Sequence, residues 1–112
     1  MTDKEFLEWE DKVFGYGYGT GEGPVMEALM KFFDTFKGDS MYDYEVIEEK
    51  LGKATTWLLI NTLCSANADI LEYGTSPRYG FLTVKGELLR GYLQDKKLNE
   101  VYELIMKYEP YG

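Results

Sequence analysis

The stretch ILEYGTSPRYGFLTVKG, residues 70–86, decides the fold. Two apolar runs, 70–73 and 79–84, carry β-branched and aromatic residues. Between them stand the turn formers Gly74, Thr75, Ser76 and Pro77, with Arg78 near the tip and Gly80 just beyond. Alternating runs around such a segment read as a β-hairpin. Upstream, residues 42–51 read as a short helix with Tyr44, Ile47 and Leu51 on one face, ended by Gly52. Lys53-Ala54 makes a tight turn, and Thr55 or Thr56 is the expected N-cap of a further helix. That helix runs to 66–67, with Trp57, Ile60, Leu63 and Cys64 as its inward face. Downstream, Leu88, Leu89, Tyr92 and Leu93 mark another helix over 87–94. Helix, glycine-containing turn, helix, hairpin and helix form a winged helix-turn-helix arrangement, with the hairpin as its wing.

Outward from this core, residues 1–14 read as a helix capped by Thr2 or Asp3. Phe6, Val13 and Phe14, joined by Trp9 or Glu10, form its inward face. Residues 15–23, GYGYGTGEG, hold five glycines, too many for a regular element. Their alternate spacing meets neither common phosphate-loop pattern, and no lysine follows. The segment reads as a connection or as an interaction loop whose Tyr16 and Tyr18 are contact residues. Pro24 opens a strongly apolar helix over 25–36 that ends at Lys37-Gly38. Asp95 caps a last helix, in which Leu98, Val101, Tyr102, Ile105 and Tyr108 keep helical spacing until Pro110. The expectation is one domain over 1–112: an N-terminal helix (1–14), a Gly/Tyr loop (15–23), a winged-helix core (24–93) and a C-terminal helix (95–109). The fold class is mainly α with a small β-hairpin.

The 112 residues hold twelve Lys and Arg against twenty Asp and Glu, a net charge of −8. Phosphate backbones are bound by local cations that replace counterions, so this balance weighs against DNA as a partner. No apolar run approaches the ~18 residues of a membrane helix, and no membrane partner is expected. No basic region followed by an apolar core opens the chain, so no secretory leader is expected. Cys64 is the single cysteine, which excludes an internal disulfide and fits a reducing, cytoplasmic compartment.

Residues 42–93 resemble the winged-helix superfamily of bacterial regulators, of the MarR and PadR kind. The resemblance is carried by YEVIEEKLGKATTWLLINTL (44–63) and by ILEYGTSPRYGFLTVKGELLRGYL (70–93), above all by the passage from wing strand through LTVKG into a helix. It implies transcription regulation by DNA binding: a recognition helix in the major groove and a wing on the backbone or minor groove. The positions it assigns to DNA are Lys53, Thr55, Thr56, Asn61, Thr62, Ser65, Arg78, Tyr79 and Lys85. Yet no Arg or Lys lies between Lys53 and Arg78. Over 40–86, Lys50, Lys53, Arg78 and Lys85 face Asp43, Glu45, Glu48, Glu49, Asp69 and Glu72, a net of −2. The recognition helix is also apolar most of the way round, so the N-terminal helix or another chain should cover its outer side.

With no histidine, His triads, His general bases and His metal sites are excluded. Cys64 reads as a core residue rather than a nucleophile, and the carboxylates read as solvated helix faces. No enzyme activity, metal or cofactor is expected. Two readings follow. One is a small DNA-binding transcription regulator, dimeric through its terminal helices. The other is an acidic winged-helix protein-interaction module, an accessory or phage-encoded inhibitor that mimics nucleic acid and binds no DNA.

Overall fold

The computed structural model describes residues 1–15, 25–36 and 39–108. Of the expected Gly/Tyr loop only Gly15 falls among these residues; Tyr16 and Tyr18 lie outside them, as do Pro24, Lys37-Gly38 and Pro110. Helix α1 spans Asp3–Glu10. Thr2 is its N-cap: its hydroxyl accepts the Glu5 N–H, and the Glu5 carboxylate accepts the Thr2 N–H at 2.9 Å. This reciprocal pair satisfies two amides that the first helical turn leaves open. The helix then widens into a π turn over Asp11–Gly15. Its buried face is Phe6, Leu7, Trp9 and Glu10, whereas Val13 and Phe14 are half-buried.

Helix α2 (Val25–Asp34) is central and buries Met26, Leu29, Phe32 and Phe33. The next element departs from expectation. Residues 41–43 form a strand, β1 (Met41–Asp43), and helix α3 starts only at Tyr44 (Tyr44–Leu51). Asp43 caps it, accepting the Glu45 N–H at 3.1 Å. The hairpin is as expected, with β2 over Leu71–Tyr73 and β3 over Tyr79–Leu82. The antiparallel sheet runs β1-β3-β2, with Tyr42 opposite Gly80 and Leu71 opposite Leu82. Gly80 makes the three-strand arrangement possible. A Cβ there would lie 2.4 Å from the Glu72 carbonyl and 2.6 Å from the Tyr42 ring. The Tyr42 hydroxyl reaches past it to donate to the Pro77 carbonyl in the wing turn.

Helix α4 spans Lys53–Cys64, so it starts directly after Gly52 and ends before 66–67. Gly52 sits at φ +84°, a left-handed conformation that glycine alone adopts without strain. One residue therefore ends α3 and begins α4, and neither Thr55 nor Thr56 is an N-cap. Helix α5 (Val84–Leu93) is capped by Thr83, whose hydroxyl accepts the Gly86 N–H at 3.0 Å and donates to the Asp69 carbonyl at 2.6 Å. The Thr83 N–H donates to Ile70. Gly86 lies so close to that backbone that a Cβ would stand 2.3 Å from the Ile70 carbonyl. Thus LTVKG is the joint that clamps the wing to α5. Helix α6 (Leu98–Lys107) starts two residues later than Asp95 as N-cap would dictate. The Glu100 carboxylate accepts the Lys97 N–H instead.

The order α2-β1-α3-α4-β2-β3-α5 contains the expected succession of helix, glycine turn, helix, hairpin and helix, and α1 and α6 lie outside it. Both fold back on the domain. The Trp9 indole donates to the Ala68 carbonyl at 2.9 Å, beyond the end of α4. Phe6 stacks on Tyr92 of α5 at 4.9 Å, and the Tyr92 hydroxyl donates to Asp3. Helix α6 packs against α2 and α1, burying Val101.

Candidate functional site

The helix that would read DNA is α4, and the core takes Thr56, Leu59, Ile60 and Leu63 from it. These positions follow i, i+3, i+4, i+7, the spacing of one helix face. Trp57, expected inward, is instead half exposed, and Cys64 is only half-buried. Thr56, expected toward a groove, is fully buried, and its hydroxyl has no hydrogen-bond partner among the described residues. The outer face shows Lys53, Ala54, Thr55, Trp57, Leu58 and Asn61. Trp57 is 50% exposed and Leu58 66%. Helix α1 lies with α5, α6 and the end of α4, so it leaves Trp57 and Leu58 uncovered.

The other residues assigned to DNA are scattered. Asn61 is exposed, but its amide donates to the Trp57 carbonyl at 2.7 Å, back along its own helix. Thr62 is half-buried and Ser65 is exposed, its hydroxyl donating to the Thr62 carbonyl. Arg78 lies at the wing tip and turns toward α3. Its guanidinium pairs with Glu45 at 3.4 Å and lies over the Tyr44 ring at 5.2 Å from the centroid. Tyr79 beside it is 72% exposed. Together Tyr42, Asp43, Tyr44, Glu45, Arg78 and Tyr79 line one depression. Lys85 belongs to another, with Met1, Glu5, Glu8, Trp9, Lys12 and Leu88. No depression among the described residues joins Lys53, Arg78 and Lys85. Around α4, α3 adds the exposed carboxylates Glu45 and Glu49, with Glu48 half-buried.

Cys64 opens onto a groove lined by Leu71, Glu72, Tyr73, Gly74 and Phe81. Burial first, and the Glu72 charge second, push its thiol up to about 11. A thiol in that condition is a poor nucleophile near neutral pH. Burial also raises the Tyr42 phenol above its usual range, as it does Tyr92, where the hydrogen bond to Asp3 adds to the effect. No cluster of three or more Cys, Asp or Glu side chains among the described residues has metal-binding geometry. None of the described helices is long and apolar enough to cross a membrane.

Sequence reasoning missed the exposed pair Trp57 and Leu58. The register 56, 59, 60, 63 was legible as a helical stripe, but the apolar residues at 57, 58 and 64 supplied a competing one. No protein-family model, curated protein or solved structure matches the chain.

Proposed function

We propose that this chain is a non-enzymatic protein-binding module that presents the outer face of α4 to a partner protein. The reading rests on one observation: Trp57 and Leu58 stand side by side in solvent at the middle of that face. Aromatic and aliphatic anchors at the centre of a patch carry most of the energy of a protein interface. Exposed on the adjoining α3 are Glu45, paired with Arg78, and Glu49 and Lys50, with Lys53 the one cation of α4. The chain's net charge of −8 favours a partner whose apolar pocket is rimmed by Lys or Arg, the kind of surface that itself meets nucleic acid. The single cysteine supports a reducing, cytoplasmic compartment for the module.

A second reading, a DNA-binding regulator, is favoured by the helix order and wing alone. It would use Lys53, Thr55, Asn61, Arg78, Tyr79 and Lys85, and is an argument from fold analogy. Two measurements separate the readings. Immobilised wild-type chain is compared with a Trp57→Ser/Leu58→Ser variant of equal Tm. The interaction reading expects a protein that is retained only by the wild type, is released by salt, and shields Trp57 from acrylamide. A low-salt mobility shift of duplex DNA, abolished by Lys53→Ala and Arg78→Ala, would overturn it in favour of DNA.

A further inference from the structure

A second surface, remote in composition from α4, carries its own signature. Val84 and Leu88 stand one turn apart on α5, 82% and 52% exposed. Leu88 borders a groove between α5 and α1 whose other walls are Met1, Glu5, Glu8, Trp9, Lys12 and Lys85. The groove's floor is fixed, because Trp9 is buried and its indole is held by the Ala68 carbonyl. Its rim carries both signs of charge: carboxylates from Glu5 and Glu8, ammonium groups from Lys12 and Lys85.

We propose that a second copy of this chain docks here, packing two Val84–Leu88 faces about a two-fold axis. A two-fold interface sets a patch against itself, so residue i of one copy meets residue j of the other and the reverse. Such a patch must be self-complementary. An apolar strip beside a groove that carries both signs of charge, Glu8 and Lys85 among them, meets that condition, whereas a surface of one sign does not. The condition is demanding for this chain, since two copies at net charge −8 repel unless opposite charges meet locally. Glu8 is available for the exchange. Its only intramolecular ion pair among the described residues is with Lys4, at 4.0 Å on an open surface. Glu5, by contrast, is occupied by the Thr2 N–H. This inference is independent of the α4 reading, because none of its residues lies on α4.

The test is sedimentation velocity of the full chain from about 5 to 500 µM, a range that brackets a small, weak interface. The expected wild-type result is a rise from monomer to dimer. Val84→Asp places a carboxylate in the first turn of α5, where the helix favours it, so the fold is kept. It should weaken the dimer at least tenfold, by the loss of apolar contact and the addition of unpaired charge. Lys85→Glu should weaken it similarly, and adding Glu8→Lys to that variant should restore it. Far-UV dichroism and Tm equal to wild type confirm that each variant is folded. A wild type that stays monomeric throughout overturns the proposal. So does a dimer indifferent to Val84→Asp, or a Lys85→Glu loss that Glu8→Lys does not repair.

Discussion

Thr56 shows how one side chain can be placed against its chemistry. It is fully buried on the inner face of α4, and its hydroxyl finds no acceptor or donor among the described residues. An unsatisfied buried polar group costs about 1–3 kcal/mol. Valine has nearly the same shape and a similar helix propensity. Thr56→Val is therefore expected to stabilise the chain by about 1 kcal/mol, a rise in Tm of roughly 4 °C for a domain of this size. Thermal unfolding with urea titration reads both. Cys64 gives a second test at this scale. Its thiol, pushed up to about 11, should react with iodoacetamide in the native chain roughly two orders of magnitude more slowly at pH 8 than in the urea-unfolded chain. The native rate should climb as pH approaches 11. Equal native and unfolded rates would contradict the burial argument.

At the scale of the element, the LTVKG joint shows how much structure a short motif can hold. Thr83 caps α5, and the same hydroxyl donates to Asp69, while its N–H donates to Ile70. Removing the hydroxyl leaves the Gly86 N–H without its cap and the wing without its tie to the residues after α4. Thr83→Ala is expected to lower stability by about 2 kcal/mol, the upper end for an N-cap. Urea denaturation measures it, and Thr83→Ser should recover most of the loss. The sequence marked LTVKG as the passage from strand to helix but ran the strand to 84 and began the helix at 87, whereas β3 ends at Leu82 and Thr83 caps a helix that begins at Val84. The hairpin was legible because its turn formers and alternating strands are contiguous. Strand β1 was not. Met41, Tyr42 and Asp43 pair with residues nearly forty positions away, and only the missing side chain of Gly80 gives Tyr42 its place. Nothing local marks three such residues as a strand rather than as the first turn of α3.

The whole molecule adds a titration. Tyrosine releases its proton near pH 10 in an unfolded chain. In the fold, Tyr42 and Tyr92 keep theirs to higher pH, chiefly because they are buried. Above about pH 10 the native state binds more protons than the unfolded state, so stability falls as pH rises, whereas below pH 10 this contribution is fully present. Urea midpoints at pH 8, 10 and 11 should show the decline. A Tyr42→Phe/Tyr92→Phe variant should decline less steeply over the same range. The expected site shows the same division between local and global information. The wing tip fell where the pattern put it, and Lys53, Thr55, Asn61, Arg78 and Tyr79 are surface residues, although α4 starts and ends earlier than the pattern placed it. Thr56 and Trp57 exchanged places, because α4 is apolar on both sides and its hydrophobic periodicity could not say which side the core would take. By itself the sequence determined the helices, the wing and the Thr2 cap of α1, since periodicity and capping act within a turn or two. The third strand, the inner face of α4, and the exposed Trp57–Leu58 and Val84–Leu88 surfaces were decided only in the tertiary structure. These depend on which elements pack together across long stretches of chain, and no local pattern carries that information.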